Sequence, residues 1–89
     1  MLHYSIIVSG KVQGVWYRKS TLEKANELTI YGFVKNLANG SVYIEAEGSE
    51  EQLAQLLAWC AIGPEFANVL QVTHTIGSLK HFEGFKIIS

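Results

Sequence analysis

The sequence predicts an α+β fold: a mainly antiparallel sheet with two helices on one face, in the order β-α-β-β-α-β and closed by a short terminal strand. Three patterns lead there. Apolar and polar residues alternate with a period of two near the N-terminus and again from Val42 to Glu47, as in half-buried strands. Two segments repeat apolar residues at helical spacing, one after the first of these strands and one after the second. Between two strand-like segments stands Asn39-Gly40, a hairpin signal. Helices placed after the first and third strands give the ferredoxin-like sandwich.

Each element follows from its residues. Leu2, Tyr4, Ile6 and Val8 alternate with His3, Ser5 and Ser9, and only Ile7 breaks the period. Leu22, Ala25 and Leu28 recur at three-residue spacing among Lys19, Glu23, Lys24 and Glu27, which predicts a helix of about three turns with that face inward. Ile30 to Leu37 returns to strand composition, with Gly32, Val34 and Asn36 on one face and Tyr31, Phe33 and Lys35 on the other. Asn and Gly at 39 and 40 tolerate the positive φ of a tight turn. Val42, Ile44 and Ala46 then alternate with Tyr43, Glu45 and Glu47. Ser49-Glu50-Glu51-Gln52 reads as a capping box. The helix it opens carries Leu53, Leu56, Leu57 and Cys60 on one stripe and ends at Gly63-Pro64. Asn68 to Thr75 is β-branched but alternates poorly, which predicts a strand with a bulge. A loop from Gly77 to Glu83 leads to a short strand, Gly84 to Ile88.

Eighty-nine residues suit one domain, 1–89, and leave no room for two cores. The chain is 48% apolar and 17% charged, so disorder is excluded. A net charge of −1 argues against a nucleic-acid or anionic-membrane binder. No run of apolar residues is long enough to span a bilayer, and the N-terminus lacks a basic and then apolar leader. Cys60 is the only cysteine, so a reducing cytoplasmic setting is expected.

The stretch Gly10-Lys11-Val12-Gln13-Gly14-Val15-Trp16-Tyr17-Arg18 joins the first strand to the first helix. A glycine-spaced turn running into a helix start directs backbone N–H groups at one spot and favours a phosphate. Arg18 adds a planar, permanently charged fork that grips phosphate oxygens in pairs. The stretch is neither GxxxxGK[ST] nor GxGxxG, so nucleotide binding by those devices is not indicated.

These nine residues resemble the signature of the acylphosphatase family, G-x-V-Q-G-V-x-[FY]-R, at every specified position. Gly32-Phe33-Val34-Lys35-Asn36, followed by Asn39-Gly40-Ser41-Val42, resembles the family's second motif, and the likeness runs on to Phe85-Lys86-Ile87. The resemblance implies the ferredoxin-like fold and hydrolysis of small acyl phosphates by a cytoplasmic monomer without metal or cofactor. It implies that Arg18 clamps the phosphoryl group with the backbone N–H groups of Gln13, Gly14, Val15, Trp16 and Tyr17. Asn36 would orient the attacking water, and a phosphate oxygen of the substrate would accept the proton. Phe33 stands where the family commonly has tryptophan, on the face away from Asn36, so activity is expected to survive. Tyr31 and Leu37 are bulkier or less polar than in many members, which bears on the acyl group accepted.

Other residues have plainer readings. Lys11 and Lys19 are expected to be solvated and outside the site. His3, His74 and His81 show no ligand spacing and read as surface or strand residues. Cys60, on its helix's apolar stripe, reads as a buried inert thiol. Trp16 holds the variable position of the motif, where walling the site and packing are both open. An RNA-binding reading rests on Tyr31, Phe33 and Tyr43 sharing an open sheet face, but Glu45 and Glu47 on that face would repel a phosphate backbone. A third reading is a non-catalytic phosphate or carbamoyl-phosphate module. The compact start and finish favour a freestanding protein instead.

Overall fold

A computed structural model describes residues 1–89. Its elements are β1 (Leu2–Lys11), α1 (Tyr17–Glu27), β2 (Tyr31–Asn36), β3 (Val42–Gly48), α2 (Glu50–Cys60), β4 (Asn68–Gly77) and β5 (Phe85–Ile88). The sheet order is β4-β1-β3-β2-β5, with every pair antiparallel except β2 and β5. This is the predicted ferredoxin-like arrangement with one strand added at the edge. The predicted bulge lies where β1 meets β4. Ser9 faces Gln71 and Gly10 faces Val69, so Leu70 is the extra residue.

Both helices pack on the face that carries Ile6, Val8, Val34, Val42 and Ile44, all fully buried. Removing each such side chain from water contributes about 1.5–3 kcal/mol. The inward stripe of α1 is Tyr17, Thr21 and Ala25, four apart, whereas Leu22 and Leu28 are only partly buried. Tyr17 causes this rotation. Its ring lies in the core against Trp59 at 5.4 Å, and its hydroxyl donates to Cys60 O at 2.8 Å. In α2 the capping box forms in full: Ser49 Oγ accepts from Gln52 N at 3.1 Å and Gln52 Oε1 accepts from Ser49 N at 2.7 Å. Leu53, Leu56 and Cys60 are buried, while Leu57 is half-buried at the margin of the stripe. Burial pushes the Cys60 thiol up to about 12, which keeps it protonated and inert.

The hairpin between β2 and β3 is wider than a two-residue turn. Leu37 N donates to Ser41 O at 2.8 Å and Gly40 N to Leu37 O at 3.2 Å. Only Gly40 takes positive φ (92°); Asn39 instead uses its side chain, with Oδ1 accepting from Ser41 N at 3.0 Å.

The opposite sheet face is partly covered, which corrects two expectations. The segment after β4 folds back over it. Glu47 Oε2 accepts from Lys80 N at 2.6 Å and Oε1 from Phe82 N at 3.2 Å, while Lys80 Nζ donates to Glu45 Oε1 at 2.8 Å. Glu45 and Glu47 are therefore buried, not solvated repellents of a phosphate backbone. His3, expected as a surface or strand residue, is a buried residue of β1: its Nδ1 lies 2.7 Å from Glu47 Oε2 and its Nε2 3.2 Å from Glu45 Oε1. Phe33, expected on an aromatic platform, meets Phe82 edge-on at 5.7 Å. The strap thus covers the part of this face around Phe33, Glu45 and Glu47.

Burial alone would raise both glutamates. Hydrogen bonds from Lys80 and Tyr43 at Glu45, and from the backbone of Lys80, His3 and the backbone of Phe82 at Glu47, outweigh it and hold both carboxyls below the ordinary 4.5. The folded state therefore binds fewer protons than the unfolded one. The stabilisation is present above about pH 4.5 and is lost as pH falls through the lowered folded values. The urea midpoint is expected to drop on acidification below that point, and Glu47→Gln to lower the neutral midpoint and flatten the acid limb. Equal acid sensitivity in wild type and Glu47→Gln would show that the Glu47 carboxylate is not responsible.

Candidate active site

The residues linking β1 to α1 bend back beside the end of β2 and enclose a cavity of about 390 Å³. Gln13, Gly14, Trp16, Tyr17 and Arg18 line it from the loop and helix start, and Asn36 lines it from the last position of β2. Alternation along β2 places Asn36 on the helix side together with Gly32 and Val34, which is why it can meet the loop. Val15 differs from its neighbours: its side chain is buried in the core and does not line the cavity.

The side chains of Arg18 and Asn36 and the loop N–H groups are uncommitted. No backbone N–H from Gln13 through Lys19 donates to a backbone acceptor, as expected for a turn followed by the first residues of a helix. The Arg18 guanidinium forms no ion pair with any carboxylate of the protein. Asn36 Oδ1 is buried and has no hydrogen-bond partner. A buried polar atom without a partner costs about 1–3 kcal/mol, a cost concentrated at functional positions. Cations and N–H donors surround the cavity, and no carboxylate, imidazole or thiol lines it. Tyr17 is the one ionisable acid there. Burial first, and then the neighbouring Cys60, push its phenol far up, and its hydroxyl is bonded away from the cavity.

The residue that starts α1 is unusual. Trp16 caps the helix in the left-handed conformation (φ 67°, ψ 18°) and makes no side-chain cap hydrogen bond. It is 71% exposed, so it walls the cavity and does not pack in the core. A bulky residue in this region carries strain of about 1–2 kcal/mol. Trp16→Gly is therefore expected to raise unfolding stability by up to about 1 kcal/mol after the entropy cost of glycine, measured by urea denaturation. A loss of stability would mean that the exposed ring packs more than its exposure indicates.

Sequence reasoning missed three lining residues. Lys19 is exposed but stands at the cavity rim, its Nζ 5.8 Å from the centre of the Trp16 ring, so it belongs to the site's surroundings. Helix position supplied a signal, because Lys19 lies in the same first turn as Arg18. Val12 ends the loop's approach, with its N–H donating to Gly10 O at 3.1 Å. Ile87 arrives from β5 through the parallel pairing of Val34 with Ile87, for which no local pattern exists. The cavity thus joins a wall of cations and N–H donors to an apolar wall.

Comparison with known proteins identifies the family. The acylphosphatase family model matches residues 4–87. An acylphosphatase of Marinobacter nauticus is 54% identical over 69 residues, 78% of this chain and 75% of that protein. An acylphosphatase of Methylococcus capsulatus is 49% identical over the same shares. The crystal structure of acylphosphatase from Bacillus subtilis superimposes with a TM-score of 0.97 at 37% identity, covering all of both chains. The motif around Arg18, the fold and these relatives point one way, and the chain belongs to the acylphosphatase family.

Proposed function

We propose that this chain hydrolyses the carboxyl–phosphate bond of acyl phosphates, with Arg18 and the loop N–H groups of Gln13 to Tyr17 holding the phosphoryl group and Asn36 orienting the water. Family membership supplies the reaction. One observation carries the assignment of roles: Arg18 and Asn36, on different elements, line one cavity, and neither side chain is committed to the protein.

An acyl phosphate is already activated as a mixed anhydride, so positioning and charge stabilisation suffice. Arg18 and the backbone donors neutralise the charge on the phosphoryl oxygens as the new bond from water to phosphorus forms and the bond to the acyl oxygen breaks. The products are a carboxylate and inorganic phosphate. With no side chain in the cavity suited to taking a proton near neutral pH, the water's proton passes to a phosphate oxygen of the substrate. Trp16, Val12 and Ile87 face the acyl portion, and Lys19 adds positive charge at the entrance. We place this activity in a single 1–89 domain acting as a monomer, and in the cytoplasm, where a lone buried thiol such as Cys60 is at home.

The test is loss of benzoyl phosphate, followed with and without a chelator. Turnover unchanged by chelator is the expected result. No turnover would refute the hydrolase and leave a phosphate-binding module, while chelator-sensitive turnover would refute the metal-independent route.

A further inference from the structure

Hydrolysis by Arg18 and Asn36 requires two halves, the loop with Arg18 and the strand end with Asn36, to keep a fixed separation. They lie on different elements, and no backbone hydrogen bond joins the loop to the hairpin. The side chain of Gln13 bridges them. Its Nε2 donates to Leu37 O at 2.9 Å and to Ser41 O at 2.9 Å. Those carbonyls stand at the two ends of the β2–β3 turn, which the Leu37 N to Ser41 O bond closes at 2.8 Å. One amide nitrogen thus commits both of its protons to the turn, and Leu37 is the residue directly after Asn36. The amide has only one workable orientation, because its reverse would set an oxygen against two carbonyl oxygens.

We infer that Gln13 is a positioning residue whose side chain latches the phosphate loop to the hairpin and so sets where Asn36 stands relative to bound phosphate. This rests on the hydrolase reading for its kinetic consequence, but the latch itself is a matter of geometry. The role demands two donors on one uncharged nitrogen at this side-chain length. Glutamate has the shape and no donors, and it would bring negative charge onto two carbonyls. A misplacement of about 1 Å can cost as much as about 10²-fold in rate, so a latch that holds no substrate still controls turnover.

The experiment is a double-mutant cycle. Gln13→Ala and Gln13→Met, the latter filling the space without donors, are made in wild type and in Asn36→Ala, with urea midpoints confirming folding. In wild type both are expected to lower kcat for benzoyl phosphate by about 10–10²-fold, leaving inhibition by inorganic phosphate within about twofold. In the Asn36→Ala background the same changes should alter kcat by less than about twofold, because Asn36 is the group being placed. A loss that persists at full size in that background, or phosphate inhibition that weakens in step with kcat, overturns the latch and assigns Gln13 to the cradle alone. A structural readout stands apart from turnover: the side-chain amide NMR signals of Asn36 should shift in Gln13→Met. Unshifted signals refute the latch, whereas an inactive wild type with shifted signals refutes only the hydrolase reading.

Discussion

Alanine at Arg18 or at Asn36 is expected to lower kcat/KM for benzoyl phosphate by about 10²–10³-fold while leaving the protein folded. The two losses should differ in form. Arg18 meets the phosphoryl group in ground state and transition state alike, so its removal should raise both KM and the inhibition constant for inorganic phosphate as well as lowering kcat. Asn36 acts on the water, so its removal should appear mainly in kcat. Stability supplies a second check. Arg18 has no salt-bridge partner to abandon, and Asn36 Oδ1 is buried without a partner, so neither truncation leaves a new unsatisfied group. Asn36→Ala should hold or slightly raise the urea midpoint, the usual sign of a residue retained for function. Arg18→Lys should recover little, since an ammonium cannot make the two-pronged contact. Near-normal turnover in folded Arg18→Ala would remove the guanidinium from the mechanism.

Local pattern foretold those features whose cause is local. Alternation placed Asn36, Val34 and Gly32 on one side of β2, the side on which α1 packs, whereas the convergence of Asn36 with the Arg18 loop was expected from the resemblance alone. Ser49 and Gln52 announced α2 because a capping box closes within four residues. The roles given to Arg18 and Asn36 came from the resemblance, since spacing alone does not say what an arginine grips. Features set by distant chain stayed hidden. Glu45 and Glu47 looked solvated because donors that hold them, the Lys80 side chain at Glu45 and the backbone of Lys80 and Phe82 at Glu47, lie more than thirty positions away. The inward stripe of α1 was misplaced because Tyr17, a motif residue, anchors to Cys60 in the other helix and turns the whole face. Ile87 reaches the cavity only because β5 pairs parallel to β2.

Gly32→Ala is expected to be the most destabilising single-methyl addition in the chain, by about 3–5 kcal/mol, from overpacking of about 1–3 and backbone strain of about 1–3 acting together. Gly32 sits in β2 opposite Ala46 with φ of 150°, a conformation that L side chains avoid. An added Cβ would fall 1.8 Å from the Glu45 backbone oxygen and 2.8 Å from its carbonyl carbon. Those atoms belong to β3, which pairs on its other edge with β1, so the obstructing carbonyl cannot retreat without breaking a second ladder. The strand also cannot rotate away, because Gly32 N donates to Gly84 O at 2.9 Å and Gly32 pairs with Phe85 in β5. Against a total stability of about 5–15 kcal/mol, such a cost removes a large share of the folded population's margin. Gly40→Ala provides the contrast: φ is again positive, at 92°, but nothing lies within 4 Å of its added Cβ. It should lose only about 1–2 kcal/mol of backbone strain. Urea unfolding of the two variants separates the contributions. Similar midpoints would mean that φ alone sets both costs and that β3 yields to the methyl group. A wide gap would instead identify the β2–β3 approach, two residues from Val34 and four from Asn36, as the rigid seam on which the site is mounted.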